Sequence, residues 1–199
     1  MDEREQLAVT NGFAEMTTLH LMMTLPLLAM MLLAACIDAK SRRIPNWLSF
    51  PLLIAGITNS FLPGHLVTPM YSMLGLFAGF GLTFILFAMD AMGGGDVKLL
   101  SAVGAWVGPE TVLLIFLIEA IIGMVIVLCQ AAAAGRLKIL ARNTAVVAIN
   151  LIHVNDVGKD HVVATGKDCR SVDRPLPYAV PVLLATLLVL GLMWHGGLQ

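Results

Sequence analysis

The sequence predicts an all-α fold, a polytopic membrane helix bundle of about six transmembrane helices. Of its 199 residues, 58% are hydrophobic and only 13% are charged, whereas about a quarter of the residues are charged in an ordinary soluble domain. The hydrophobic residues form long uncharged runs, without the period of an amphipathic helix or strand. We therefore expect a single membrane domain over residues 1–199.

Each uncharged run is interpreted as one or two membrane spans. The run 16–37 is the first span, and the run 47–89 is too long for one crossing. Pro63-Gly64 near the middle of the second run predicts a turn, and hence a hairpin of two helices. Three further spans are predicted, at 97–107, 111–134 and 175–194. The span 97–107 is short, because eleven residues at about 1.5 Å each cover roughly half of a hydrocarbon core.

The positions of the basic residues predict the orientation of the bundle. Eleven of the twelve Lys and Arg residues fall in the loops 38–46, 90–98 and 136–174. The positive-inside rule places these loops in the cytoplasm and both termini outside it, with residues 1–15 as a non-cytoplasmic tail. Arg136, with the basic residues after it, opens the cytoplasmic loop 136–174 either as an interfacial amphipathic helix or as a solvated connector.

Five acidic residues lie in or beside the predicted spans: Asp38, Asp90, Asp96, Glu110 and Glu119. A carboxylate in a membrane is costly and is therefore a candidate functional group. Asp38 ends the first span and Asp96 begins the fourth, so that two crossings separate them and both face the same side. The topology places Glu110 at the opposite surface and Glu119 deep in the fifth span, away from this pair. Asp90 is predicted to lie on the same side, so it remains an alternative candidate for the pair.

Two neighbouring carboxylates share one proton, because both cannot ionise cheaply. Such a pair holds an acid and a base at once, which is the chemistry that activates water for peptide hydrolysis. The alternative interpretation is that Asp38 and Asp96 only cap helices or neutralise Lys40 and Lys98.

Glycines immediately precede the second aspartate, in the stretch Gly93-Gly94-Gly95-Asp96-Val97-Lys98. The absence of side chains allows another backbone to come close, and a substrate strand is one candidate. The stretch lacks the ending of a phosphate-binding P-loop. After the first aspartate, Pro45 and Asn46 are signals for the start of a new helix.

At these two segments the sequence resembles the type IV prepilin peptidases, a family of GxGD-type membrane aspartic peptidases. Asp38 with Arg43-Ile44-Pro45-Asn46 matches the first signature of the family, and Gly93, Gly95, Asp96 and Lys98 match the second. The resemblance implies that Asp38 and Asp96 are the catalytic pair. It implies supporting roles for Gly93, Gly95, Lys98, Arg43, Pro45 and Asn46.

The resemblance further implies an endopeptidase that cleaves the leader peptides of prepilin and pseudopilin precursors on the cytoplasmic side of the bacterial inner membrane, without a cofactor. The short connection between the first two spans is similar to that of Flp/Tad-type members. Long bifunctional members carry an insertion there, often with paired C-x-x-C zinc ligands, so we expect no zinc site. The resemblance to the short members leaves N-methyltransferase activity open.

Other functions have weaker support in the sequence. A proton- or ion-coupled transporter would also place acids in the membrane, but it predicts internal repeats, and the two halves of the chain show no convincing similarity. A non-enzymatic scaffold for pilus assembly would leave the aspartates replaceable. The net charge of −1 gives no indication of a nucleic-acid partner. His153, Asp156, Asp160 and His161 fit no closed metal motif, so we predict no metal site.

Overall fold

The computed structural model describes residues 24–63, 65–89, 92–152 and 177–194. These residues form helices and no strand, which confirms the predicted all-α fold. The seven helices within these ranges are α1 (Thr24–Ser41), α2 (Asn46–Asn59), α3 (Pro69–Ala88), α4 (Gly94–Val107), α5 (Pro109–Ala133), α6 (Leu137–Ile152) and α7 (Ala179–Trp194).

The helices follow the predicted spans closely. The run 47–89 is divided into α2 and α3 on either side of Pro63, as the hairpin prediction required. Helix α6 lies at the start of the predicted cytoplasmic loop 136–174, which agrees with the helical interpretation of its basic opening. The tail 1–15 and the acidic and histidine residues at 153–161 lie outside the described residues.

Among the described helices, three are long and apolar enough to cross a membrane, namely α1, α3 and α5. Helix α7 is also apolar but has only 16 residues. Helices α2 and α4 have 14 residues each, which corresponds to about 21 Å, whereas a hydrocarbon core is about 30 Å thick. The total of six crossings therefore stays a prediction.

Helix α4 lies at the centre of the bundle. Every residue from Leu99 to Val107 is buried, as is Val97, and α4 packs against α2, α3 and α5. A helix that is apolar all round is stable only when other protein or lipid surrounds it. The central position of α4 accounts for a sequence that shows no polar stripe.

Glycines bring α3 and α4 into backbone contact. A Cβ built on Gly75 would lie 2.1 Å from the carbonyl oxygen of Gly104, and one built on Gly79 would lie 2.6 Å from that of Leu100. The hydroxyl of Ser72 donates a hydrogen bond of 2.7 Å to the carbonyl oxygen of Ala105. Small residues allow this approach, which membrane helices use for van der Waals packing and interhelical hydrogen bonds.

A tryptophan holds α2 against α4. The indole Nε1 of Trp106 donates a hydrogen bond of 2.9 Å to the carbonyl oxygen of Leu52, and the indole ring lies against Gly56, where a Cβ would approach it to 2.6 Å. The buried indole N–H is thus satisfied, as a buried donor requires.

The outward faces of the long helices are apolar. On α3, Phe77 and Ile85 are each more than 60% exposed, and on α5 Leu117 and Ile121 are both 57% exposed. Large apolar surfaces of this kind are rare on soluble monomers. They are the expected surface of a helix bundle that is surrounded by lipid.

Replacing Gly75 with alanine is expected to destabilise the bundle by about 1–3 kcal/mol, the usual cost of overpacking a close-packed interface. The matched control is Gly81→Ala in the same helix, where a Cβ meets nothing within 4 Å. Alanine there favours the helix by about 0.5–1 kcal/mol because of its higher helix propensity. Thermal unfolding of both variants in one detergent measures the difference. Equal melting temperatures would contradict the close contact between α3 and α4.

Candidate active site

Asp38 lies in the last turn of α1 and is only 4% exposed. Its Oδ2 accepts a hydrogen bond of 3.0 Å from the backbone N–H of Ala179, the first residue of α7. The backbone N–H of Arg42 donates to the carbonyl oxygen of Asp38 at 2.7 Å. Arg42 adopts a φ of 53°, in the left-handed region that commonly ends helices. Both the side chain and the backbone of Asp38 are therefore held.

Asp96 is the third residue of α4 and is partly buried. Its Oδ2 accepts a hydrogen bond of 3.2 Å from the backbone N–H of Gly93, the residue before the helix. A carboxylate in this position satisfies an otherwise unpaired N–H and interacts favourably with the helix dipole. Asp96 thus caps α4, as the alternative interpretation of the sequence proposed, and the cap engages one of its two oxygens.

The two aspartates lie close enough to interact. Burial raises the pKa of the Asp96 carboxyl from 3.8 to about 6, against the lowering effect of the Gly93 N–H, and the negative charge of Asp38 raises it further. The predicted pair of acids on one side of the bundle is therefore brought together. Asp90, the predicted rival, lies outside the described residues.

The two sequence motifs contact each other directly. A Cβ built on Gly95 would lie 3.2 Å from Cβ of Ile44 and 3.4 Å from its carbonyl oxygen. The Nζ of Lys98 donates a hydrogen bond of 2.8 Å to Oδ1 of Asn46 and lies 5.5 Å from the centre of the Phe50 ring. These contacts join the start of α4 to the start of α2, and they give Lys98 a partner other than an aspartate.

At Gly95 another backbone comes close, as the sequence predicted, and it belongs to Ile44 of the same chain. The approach of a substrate strand to the glycines stays a prediction. Gly93 is exposed, and a Cβ there would lie 3.1 Å from Oδ2 of Asp96. A side chain at either glycine would therefore press on the candidate site.

The remaining predicted support residues have local roles. The side chain of Arg43 is exposed, and its carbonyl oxygen accepts a hydrogen bond of 3.1 Å from the Ser41 hydroxyl. Pro45 immediately precedes α2, with an extended backbone that ends the connection from α1. These two residues shape the turn that places Ile44 and Asn46 against α4.

Glu119 joins the site, contrary to the prediction from topology. It lies near the middle of α5, is 3% exposed, and accepts a hydrogen bond at Oε1 from the hydroxyl of Tyr178. The negative charges of Glu119 and Asp96 both act on the Tyr178 hydroxyl. The two acids therefore lie within electrostatic reach of the same hydroxyl.

The reversal of the chain at Gly108 explains the position of Glu119. Asp96 is twelve residues before Gly108 and Glu119 is eleven after it. In one continuous helix they would be about 35 Å apart, but Gly108 breaks the helix with a φ of 84°, and α5 packs back against α4. Nearly equal distances from the turn bring the two acids to similar heights. The Gly108-Pro109 break and these two spacings are visible in the sequence, and they are the signal that places Glu119 near Asp96.

The cluster has the groups that acid–base chemistry requires. Two interacting carboxyls that share one proton can accept a proton from water and donate another to a carbonyl oxygen. Within the described ranges no group of three or more His, Cys, Asp and Glu residues is placed to hold a metal ion.

Comparison with known proteins identifies relatives of this region. Residues 25–128, more than half of the chain, match the model of the type IV leader peptidase family. The chain is 34% identical to a prepilin leader peptidase/N-methyltransferase of Klebsiella pneumoniae, over 54% of this chain and 52% of the relative. It is 36% identical to a protein of the same name from Pseudomonas aeruginosa, over 62% of this chain and 45% of the relative. No solved structure matches the chain.

These curated relatives are longer proteins, and the aligned part spans about half of their length or less. The matched segment 25–128 contains both aspartates, both motifs and Glu119. On the strength of this match, the chain belongs to the type IV leader peptidase family.

Proposed function

We propose that this protein is a membrane aspartic endopeptidase that cleaves the leader peptide of type IV prepilins, with Asp38 and Asp96 as its catalytic pair. The observation that carries this proposal is the electrostatic contact of the two carboxyls where the two family motifs meet. Family membership and the names of the relatives support the choice of substrate.

The environments of the two aspartates suggest their roles. Burial raises the pKa of Asp96 to about 6, so Asp96 is the member that retains the shared proton and donates it to the scissile carbonyl oxygen. Asp38 is then the base that takes a proton from the attacking water, and it returns this proton to the amine that leaves. The hydrogen bond from Ala179 holds Oδ2 of Asp38, and in this proposal Oδ1 is the oxygen that takes the proton from water.

The finer substrate class and the location follow from the sequence. We propose Flp-type prepilins and pseudopilin precursors as substrates, processed at the cytoplasmic face of the bacterial inner membrane. The supporting features are the concentration of basic residues in three loops, which the positive-inside rule predicts to be cytoplasmic, and the connection between α1 and α2, which consists only of residues 42–45. Both termini would then lie outside the cytoplasm.

Replacing either Asp38 or Asp96 with asparagine is expected to reduce precursor cleavage by about 100-fold or more, because each amide keeps the shape of the side chain but cannot exchange the proton. The measurement is the size of a pilin precursor on a gel after co-expression with each variant, in a host without another prepilin peptidase.

The matched controls for these substitutions are Glu110→Gln and Asp90→Asn. Glu110 is an exposed acid in the first turn of α5. Asp90 is the acid that the sequence left as an alternative candidate for the pair. Both controls should process the precursor normally. Processing by Asp38→Asn or Asp96→Asn would overturn the proposed pair, and loss of processing in Asp90→Asn alone would transfer the role to that residue.

The rate of cleavage is expected to fall as the pH rises above about 6. Asp96 has a raised pKa of about 6, so the protonated form that donates to the carbonyl oxygen is lost on the alkaline side, by about tenfold per pH unit. The measurement is the initial rate of cleavage in detergent between pH 5 and 8, with Glu110→Gln as the control. A rate that stays constant from pH 6 to 8 would contradict the role of Asp96 as the acid.

Processed pilin is expected to carry no added methyl group. The relatives are named for a peptidase and an N-methyltransferase, but the short connection 42–45 leaves no room for the insertion of the long family members. The measurement is the mass of the new pilin N terminus after processing, and the Pseudomonas aeruginosa relative is the positive control. Methylation by this protein alone would show that the second activity does not need that insertion.

A further inference from the structure

The buried carboxyl of Glu119 is a feature that the proposed chemistry does not use. It lies in the middle of the 25-residue helix α5 and is 3% exposed. Its Oε1 accepts the hydroxyl of Tyr178, whereas its Oε2 has no hydrogen-bond partner among the described residues. An acid in a membrane helix is costly to insert. Its presence therefore requires an explanation.

The partner of Glu119 is adjacent in the chain to the residue that holds Asp38. Tyr178 immediately precedes Ala179, whose backbone N–H donates the 3.0 Å hydrogen bond to Oδ2 of Asp38. Because neighbouring residues share a planar peptide unit, a fixed Tyr178 restricts where the N–H of Ala179 can point. Glu119 on α5 is thereby linked to Asp38 on α1 through the start of α7.

The same group also lies close to the second aspartate. The charge of Asp96 acts on both Tyr178 and Glu119, so both groups lie within electrostatic reach of Asp96. Helix α7 packs more extensively against α5 than against α4. The bond between Tyr178 and Glu119 fixes α7 at the end where it meets the site.

We propose that the hydrogen bond between Glu119 and Tyr178 positions the catalytic pair, by holding the N–H of Ala179 on Asp38. This inference rests on the proposed peptidase function and assigns Glu119 and Tyr178 as positioning residues. Glu119 acts as an acceptor in this role, so the oxygen atom and its placement matter, and the charge does not.

The test compares Tyr178→Phe, Glu119→Leu, their double variant and Glu119→Gln in a precursor-cleavage assay that yields kcat and KM. Tyr178→Phe and Glu119→Leu each remove the hydrogen bond, and we expect kcat to fall about 10- to 100-fold with KM nearly unchanged, as for a misplaced catalytic group. The double variant should be no worse than the worse single variant, because both remove the same bond. Glu119→Gln keeps an acceptor oxygen and should retain most of the activity.

The matched control is Tyr71→Phe, since Tyr71 and Tyr178 are the two tyrosines of the chain. Tyr71 is 48% exposed near the start of α3 and lies beside Gly108, at the other end of α4 from Asp96. Its substitution should leave kcat and KM unchanged. Thermal unfolding of each variant confirms that the protein is folded, and Tyr178→Phe remains a valid test if Glu119→Leu does not fold.

The outcomes separate this inference from the proposed function. Active wild type, inactive Asp38→Asn and a Tyr178→Phe variant with wild-type kcat would overturn the positioning role alone. Additive losses in the double variant, or a Glu119→Gln variant as inactive as Glu119→Leu, would also overturn it. Folded wild type that does not cleave any prepilin would overturn the proposed function and this inference with it. If the hydrogen bond between Glu119 and Tyr178 served stability alone, Tyr178→Phe would lower the melting temperature and leave kcat unchanged.

Discussion

The backbone contact between α3 and α4 is the constraint on which the rest of the structure depends. Gly75 and Gly104 approach so closely that neither position has room for a Cβ, and the buried hydrogen bond from Ser72 to Ala105 adds polar specificity to the contact. In a membrane, helices associate through such packing because lipid supplies little hydrophobic driving force between them. Once α4 is held at the centre, its first turn carries Asp96 to the point where α1, α2 and α7 end or begin.

The two motifs are separate in the chain and form one unit in space. Gly95 has no side chain because Ile44 occupies that space, and Lys98 reaches across to Asn46. Part of each motif therefore serves to join α2 to α4, and this contact keeps the distance between the aspartates short. The four-residue turn after α1 therefore has two roles. It ends the helix that carries Asp38, and it supplies the surface on which Gly95 packs.

Three acids and a tyrosine meet in a largely apolar environment, where each charge makes the next one less favourable. The charge of Asp38 acts on Asp96, and the charges of Glu119 and Asp96 act on Tyr178. A change of charge at one of these groups therefore affects its neighbours. The aspartate pair and its buried neighbours are therefore best considered together.

The sequence by itself determined the membrane class, the all-α fold and the helix positions, because uncharged runs and helix-breaking residues are local properties. Its two motifs also predicted Asp38 and Asp96 as a catalytic pair through their resemblance to a known family. It also predicted a close backbone approach at the glycines. Only the tertiary structure decided that Ile44 is the partner of Gly95, that Lys98 binds Asn46, and that Glu119 reaches the site through Tyr178. Those contacts depend on how the helices pack and on the sharp reversal at Gly108. Hydropathy predicts neither the angle of a turn nor the side of a helix that contacts its neighbours.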